Sequence, residues 1–236
     1  MTNITRRRLL QTTLGCASVL ACPRISSAVQ NQNKTSGMVI GEPTAAKIGA
    51  RVLADGGNAV DAIVAAALAA TVAAPYQTGI GGYGAHGVFA IDNGQTLWAL
   101  DANTAAPQAM RSDAFRPDEQ GNVPGRINEF GWMAAGVPGI LAGLHLALKR
   151  CGTQSFSDMV QGAIDIARDG CRLPATVIKT IESSKTMRAD PGSQQLYFRD
   201  GAAPRADKPF ANPQLAAPIP CHDRLADLRS ARQTEP

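Results

Sequence analysis

The stretch GMVIGEPTAAKIGARVLADGGNAVDAIVAAALAATVAAPYQTGIGGYGAHGVFAIDNGQTLWALD, Gly37 to Asp101, decides the fold. Pro43 stands where a helix tolerates proline, at its first turn. Ala45, Ile48 and Val52 recur on one helical face, and Gly56 can end that helix in the left-handed conformation. Asn58 then caps a second helix, with Asp61 in its first turn, where a carboxylate suits the helix dipole. From Ala62 to Ala74 its only polar side chain is Thr71, so this helix is buried all round, and it stops at Pro75. The glycine cluster Gly79 to Gly84 follows. Val88–Asp92 and Thr96–Asp101 read as strands joined at Asn93-Gly94, a strong hairpin signal. Val88, Phe89, Ala90 and Ile91 are apolar at every position, so the sheet is expected to be covered on both faces.

Working outward, Met38–Ile40 reads as a short strand, and Ala105–Arg126, rich in proline, glycine and charge, as a loop. A helix is predicted from about Pro138 to Arg150, and another capped by Ser157 with the stripe Val160, Ala163, Ile164 and Ala167, ending at Asp169-Gly170. Ala175–Ser184 reads as a further helix and Leu196–Phe198 as a strand. The segment 218–236 has prolines, charges and no apolar period, and is expected to be a disordered tail unrelated to the core.

The formal charge of +4 comes from the N-terminus. Arg6, Arg7, Arg8 and Arg24 lie in the first 28 residues, which hold no acid; without them 19 basic and 19 acidic side chains remain. That balance makes no electrostatic case for nucleic acid or a membrane surface. The arginines precede an apolar run, Leu9 to Ala21, and the small residues Ser26-Ser27-Ala28, which together make residues 1–28 a signal peptide. The arginine pair points to the twin-arginine export route, with an ordinary signal peptide as the alternative. Val19-Leu20-Ala21-Cys22 loosely resembles a lipoprotein cleavage box. The apolar run is too short to span a bilayer as a mature helix. The mature chain is therefore expected in the periplasm, with 29–36 as a flexible lead-in. Cys151, Cys171 and Cys221 remain after removal of Cys16 and Cys22, and an odd count argues for structural thiols over a disulfide framework.

Chemistry is sparse. Gly79, Gly81 and Gly84 match G-x-G-x-x-G, but a dinucleotide site needs a strand before the cluster and a helix after it. Here the order is reversed, and close helix–sheet packing is the better account. His86, His145 and His222 are scattered and read as structural. Asp61 beside Asn58 reads as a first-turn cap in preference to a catalytic acid. No spacing suits zinc, and no cofactor is implied. The residues alone lead to an exported α/β domain with no visible catalytic machinery.

The run Leu53 to Ala62 (LADGGNAVDA), followed by Gly79 to Gly84 (GIGGYG), resembles the N-terminal half of the gamma-glutamyltranspeptidase family. The likeness continues through Leu100-Asp101, Ala106-Pro107, Gly136-Val137-Pro138-Gly139, Gly152-Thr153 and Ala167-Arg168-Asp169-Gly170, and covers roughly 37–217. It implies a partial αββα sandwich of the N-terminal-nucleophile hydrolases, the large-subunit half. In that family a precursor cuts itself, and the new N-terminal threonine of the small subunit attacks a γ-glutamyl amide, usually of glutathione, with its own α-amine as base. Two departures follow. The chain stops within what resembles the large subunit, so no catalytic residue is expected here, and a small-subunit partner would have to be encoded separately. The family's carboxylate-gripping arginine aligns with Asn103, the one substrate-binding candidate, and an amide lacks guanidinium's charge and forked donors. The substrate of an intact relative is then a small γ-glutamyl or other acyl amide. The expectation is a truncated large-subunit homologue, inert alone; a two-gene amidase and a non-catalytic exported binding module are the alternatives.

Overall fold

A computed structural model describes residues 37–81 and 84–216. The expected signal peptide (1–28), lead-in (29–36) and tail (218–236) lie outside them. The first helix, α1, spans Pro43–Ala54; Pro43 sits in its first turn, and the Glu42 carboxylate caps it by accepting the Ala45 N–H at 2.7 Å. It ends as expected before Gly56, whose φ of 94° is left-handed.

Helix α2, Ala59–Ala73, opens on a reciprocal cap. Asn58 Oδ1 accepts from Val60 and Asp61, while Asp61 Oδ2 accepts the Asn58 N–H at 2.8 Å. The helix packs against α1 on one side and against α3 (Ile140–Cys151) and α4 (Phe156–Asp169) on others. Val64, Leu68 and Ala69 are fully buried, each large side chain worth about 1.5–3 kcal/mol of apolar burial. Its one internal hydroxyl, Thr71, donates to the Leu68 carbonyl at 2.7 Å and so stays satisfied inside the core. Burial is not complete, however: Ile63 is 46% exposed on a face that the described residues leave open.

Strands β1 (His86–Ile91) and β2 (Thr96–Asp101) pair antiparallel, His86 opposite Asp101 and Phe89 opposite Trp98. The hairpin expected at Asn93-Gly94 is present, but its loop runs from Asp92 to Gln95, with Asp92, Asn93 and Gly94 all at positive φ. The alternation is strict. Phe89 stacks on Trp98 at 4.0 Å, and with Leu100 they face the helices. Val88 and Leu97 face away and are 81% and 68% exposed. The two-sided cover expected from the apolar strands is therefore half met among the described residues: one face lies on the helices and the other is bare.

Four local expectations need correction. Met38–Ile40 forms no strand; no strand lies beside it among the described residues, and Ile40 is exposed. Helix α3 starts at Ile140, two residues later than expected. Helix α4 is capped by Ser155, whose Oγ accepts the Asp158 N–H at 3.1 Å, and Ser157 lies inside it. Leu196 and Tyr197 end a helix instead of forming a strand, because Asp190 caps and Pro191 starts α7 (Pro191–Tyr197) ahead of them. Between α4 and α7 lie α5 (Ala175–Ser183) and α6 (Lys185–Ala189). Leu173, Val177, Ile181 and Phe198 make a second, smaller core there, tied back to the first by a backbone bridge between Cys171 and Phe210 and by α8 (Pro213–Ala216) on α4. The segment 105–126 is a loop, as expected, closed by a 3-10 turn at Pro124–Arg126.

Candidate functional site

Two polar clusters stand out, and their geometry separates structure from function. The first centres on Asp61, which is fully buried. Thr153 donates to it twice, from its N–H at 2.8 Å and its hydroxyl at 2.6 Å; Gln154 N–H donates at 3.1 Å and Asn58 N–H at 2.8 Å. Burial opposes ionisation of Asp61, but the Thr153 hydroxyl and the three backbone donors outweigh it and hold the carboxyl below its ordinary value. Asn58 Nδ2 adds a bond to the Cys151 carbonyl at 2.6 Å. The cluster pins the α3–α4 connection onto the start of α2. Its carboxylate is enclosed and fully engaged, so Asp61 is a cap and a staple, with no open side for a substrate. The Gly152-Thr153 pair was visible in the sequence, but its partnership with Asp61, 92 residues away, was not.

The second cluster is at the exit of β2. Ala102 extends the hairpin by pairing with Ala85 through two backbone bonds of 2.8 and 3.1 Å. The next residue, Asn103, passes between two glycines that leave no room for a side chain. A Cβ on Gly84, whose φ is 97°, would lie 2.4 Å from Asn103 Cα, and one on Gly139 would lie 2.4 Å from the Asn103 carbonyl oxygen. Two residues on, Ala105 pairs with Val137, closing the wall. Gly84 therefore packs backbone on backbone, and the glycine cluster stands after a helix and before a strand, with no helix N-terminus to offer a phosphate. Its Gly82 and Tyr83 lie outside the described residues.

Asn103 is exposed at this edge. Its N–H donates to Asp101 Oδ1 at 3.0 Å, and its own Oδ1 accepts the Thr104 N–H at 3.0 Å. With the carboxamide oxygen turned to the backbone, the NH₂ group is the donor Asn103 offers outward. Asp101 Oδ1 also lies 3.6 Å from Nδ1 of His86, its cross-strand partner. Sequence reasoning named Asn103 but missed Asp101; the signal was an aspartate two residues ahead of Asn103 at a strand end, the spacing of an Asx turn.

His145 lies on α3 with its ring tilted against Phe156 at 5.8 Å, and His222 lies outside the described residues. Cys151 and Cys171 are free thiols, Cys171 buried, with its pKa pushed up by burial and by the Glu42 charge. Among the described residues no group of three or more His, Cys, Asp or Glu could hold a metal ion, and no helix is long and apolar enough to cross a membrane.

A family model described as Gamma-glutamyltranspeptidase matches residues 45–220. The chain is 33% identical to Glutathione hydrolase 3 of Arabidopsis thaliana over 199 residues, covering 84% of this chain and 30% of that one. It is 32% identical to the Acylase ACY 1 proenzyme of Pseudomonas sp. (strain V22), over 76% of this chain and 34% of the relative. Among solved structures, the Helicobacter pylori gamma-glutamyltranspeptidase superposes with a TM-score of 0.74 at 32% identity, covering 83% of this chain and 56% of that one. The gamma-glutamyltranspeptidase of Pseudomonas nitroreducens complexed with L-DON gives 0.69 at 28%, with the same coverage. The chain thus spans about a third of the length of these curated relatives. The fold is accordingly part of the α/β sandwich of the N-terminal-nucleophile hydrolases.

Proposed function

The chain belongs to the gamma-glutamyltranspeptidase family, and on that premise we propose that it forms the scaffold and one wall of the acyl site of an exported amide hydrolase or acyl transferase. In this reading the nucleophile is a threonine at the N-terminus of a small-subunit segment, and the 236 residues described by the sequence are inert without it. The observation that carries the reading is the family match from 45 to 220, which includes the hairpin, its glycine flank and the β2 exit. The bare face of the hairpin, with Val88 81% exposed, supports a partner segment laid over it.

The chemistry follows from the nucleophile's own α-amine, which takes the threonine hydroxyl proton as that oxygen attacks the amide carbonyl; the C–N bond then breaks, the amine leaves with that proton, and the ester-linked acyl group passes to water or an amine, freeing the threonine. This chain's part is to orient the acyl group. Asn103 does so as a neutral NH₂ donor at the sheet edge. A neutral donor grips a carboxylate less well than a guanidinium, which favours acyl amides beyond the γ-glutamyl group, and the likeness to the acylase proenzyme supports that side of the reading.

The test is enzymatic. The chain purified free of host enzyme should not hydrolyse a γ-glutamyl anilide or a pentanoyl anilide. Supplied with a threonine-led small-subunit segment, it should turn over the pentanoyl substrate, whose acyl group has no carboxylate, at least as well as the γ-glutamyl one. Turnover by the purified chain alone would refute the division of labour. A strong preference for the γ-glutamyl anilide in the reconstituted pair would refute the reading of Asn103.

A further inference from the structure

We propose that Asp101 is the positioning residue of the acyl site: it fixes the main chain at Asn103, from which the carboxamide is presented at the sheet edge. The inference rests on Asn103 as a substrate contact, and goes beyond it by naming what sets Asn103.

Four restraints act on Asn103, two from distant glycines and two from its neighbours along the chain. Its Cα and carbonyl are walled by Gly84 and Gly139, which are in contact with main-chain atoms and cannot give way. Its side-chain oxygen is held by the Thr104 N–H. The fourth is its own N–H, and the group that receives it is Asp101 Oδ1, at 3.0 Å. That bond closes the turn by which the chain leaves β2. Without it the 101–103 turn has no side chain to close it, and the Asn103 main chain can shift at the sheet edge and carry its carboxamide out of place. A donor that is in place only part of the time binds an acyl carbonyl correspondingly less well, and small misplacements at a reacting site are costly.

The position of Asp101 is itself fixed. It is the last residue of β2, paired with the first residue of β1, so the strand register determines where its carboxylate stands. His86, 3.6 Å away, flanks the same oxygen from across the pair. What Asn103 requires from Asp101 is an acceptor oxygen at this distance, and charge is secondary. That distinguishes positioning from a general electrostatic or folding role. Asp101→Asn keeps an oxygen in place and removes the charge; Asp101→Glu keeps the charge and moves the oxygen by a methylene; Asp101→Ala removes both.

The experiment is solution NMR on the ¹⁵N-labelled full chain paired with a threonine-led small-subunit segment, reading hydrogen exchange of the Asn103 backbone amide and the shifts of its side-chain NH₂. The Thr153 amide, held by Asp61 elsewhere, reports folding. Loss of the Asp101 bond should speed exchange of the Asn103 amide by about tenfold in Asp101→Ala and Asp101→Glu, with Asp101→Asn close to wild type. The Thr153 amide should not change. Pentanamide, an acyl amide with no α-substituent, is the ligand probe: it should shift the Asn103 NH₂ signals in the wild type, and about tenfold less tightly in Asp101→Ala and Asp101→Glu. If Asp101→Glu matches wild type while Asp101→Asn behaves as Asp101→Ala, charge is the determinant and the proposal is wrong. Equal exchange in all four proteins also overturns it. If pentanamide leaves Asn103 untouched in the wild type while the exchange pattern holds, Asp101 positions Asn103 as proposed and it is the substrate reading that fails.

Discussion

Replacing Asp61 by alanine should unlatch the α3–α4 connection from α2 while leaving the hairpin alone. The carboxylate accepts four hydrogen bonds, three of them from Thr153 and Gln154, more than ninety residues along the chain. Hydrogen bonds to a charged acceptor are worth about 1.5–3 kcal/mol each, but those sharing one acceptor do not add. A net local loss of about 3 kcal/mol is the reasonable sum, since water can reach the freed donors once the loop lifts. That corresponds to roughly 100-fold faster opening of the Thr153 and Gln154 amides. Thr153→Val removes one of the four bonds and should cost about 1 kcal/mol. The assay is hydrogen exchange with mass spectrometry on peptides covering 58–62 and 150–156, with a hairpin peptide as internal control; it reads local opening without requiring a two-state melt.

The same residue predicts a pH dependence with a definite sign. The Asp61 carboxyl is held below its ordinary value in the fold, so the unfolded chain takes up its proton first as pH falls. The contribution is complete well above the unfolded value of about 4, and is lost as pH drops through it towards the lower folded value. Protection of Thr153 should be level from pH 7 to about pH 5, after correction for intrinsic exchange, and decline below about pH 4. In Asp61→Asn that decline should vanish, because nothing there titrates. If Asp61→Ala changes exchange of the 150–156 peptide by less than about threefold, or if Asp61→Asn keeps the acid decline, the staple is not what holds this connection.

Gly84→Ala should be among the most damaging single changes, because its φ of 97° and a Cβ 2.4 Å from Asn103 Cα leave no relaxed solution; recovery in the soluble fraction checks it, with Gly41→Ala, where a Cβ meets nothing, as the control. The isolated chain should bind a hydrophobic dye and lack a sharp thermal transition, since Val88, Leu97 and Ile63 are exposed; a cooperative, monomeric melt without dye binding would contradict this. Changing Arg6, Arg7 and Arg8 together to lysine keeps the charge and should still leave precursor in the cytoplasm if export uses the twin-arginine route. Cell fractionation checks it, and undiminished export would point to the general secretory route.

The parts of the fold that were legible in the sequence are those fixed by local chemistry. Pro43, Gly56, Asn58 and Gly170 each punctuate a helix through their own backbone or side chain, and each punctuation stands in the structure. The misreadings occurred where two local signals competed. Ser155 and Ser157 can both cap, and only packing chooses, because starting at Phe156 buries Phe156, Met159 and Val160 on one face. Leu196–Phe198 has strand-like composition, but Asp190-Pro191 nucleates a helix that reaches it first. The acyl-site wall was legible only in part. Asn103 came from a family likeness; the glycines that confine it act on main-chain atoms 19 and 36 positions away, where no periodicity carries the information.

The most instructive expectation is the doubly covered sheet. A strand that is meant to face water on one side alternates, polar outward, and loses nothing by it. β1 does not alternate: Val88 and Ala90 point away from the helices as surely as Phe89 and Ile91 point towards them, and on β2 Leu97 and Ala99 join them on the outer face. Leaving Val88 81% and Leu97 68% exposed forgoes burial worth up to about 1.5–3 kcal/mol for each side chain. Among the described residues both strands also keep an open edge, a ready template for further pairing. The polar side chains of that outer face, His86 and Asp101, stand together at the end beside Asn103, so the middle is written for a dry contact and one end for a wet one. Such a surface suits a second layer that closes over the apolar middle and stops short of Asn103, so that an acyl group can enter at the polar end, where the carboxamide of Asn103 stands exposed.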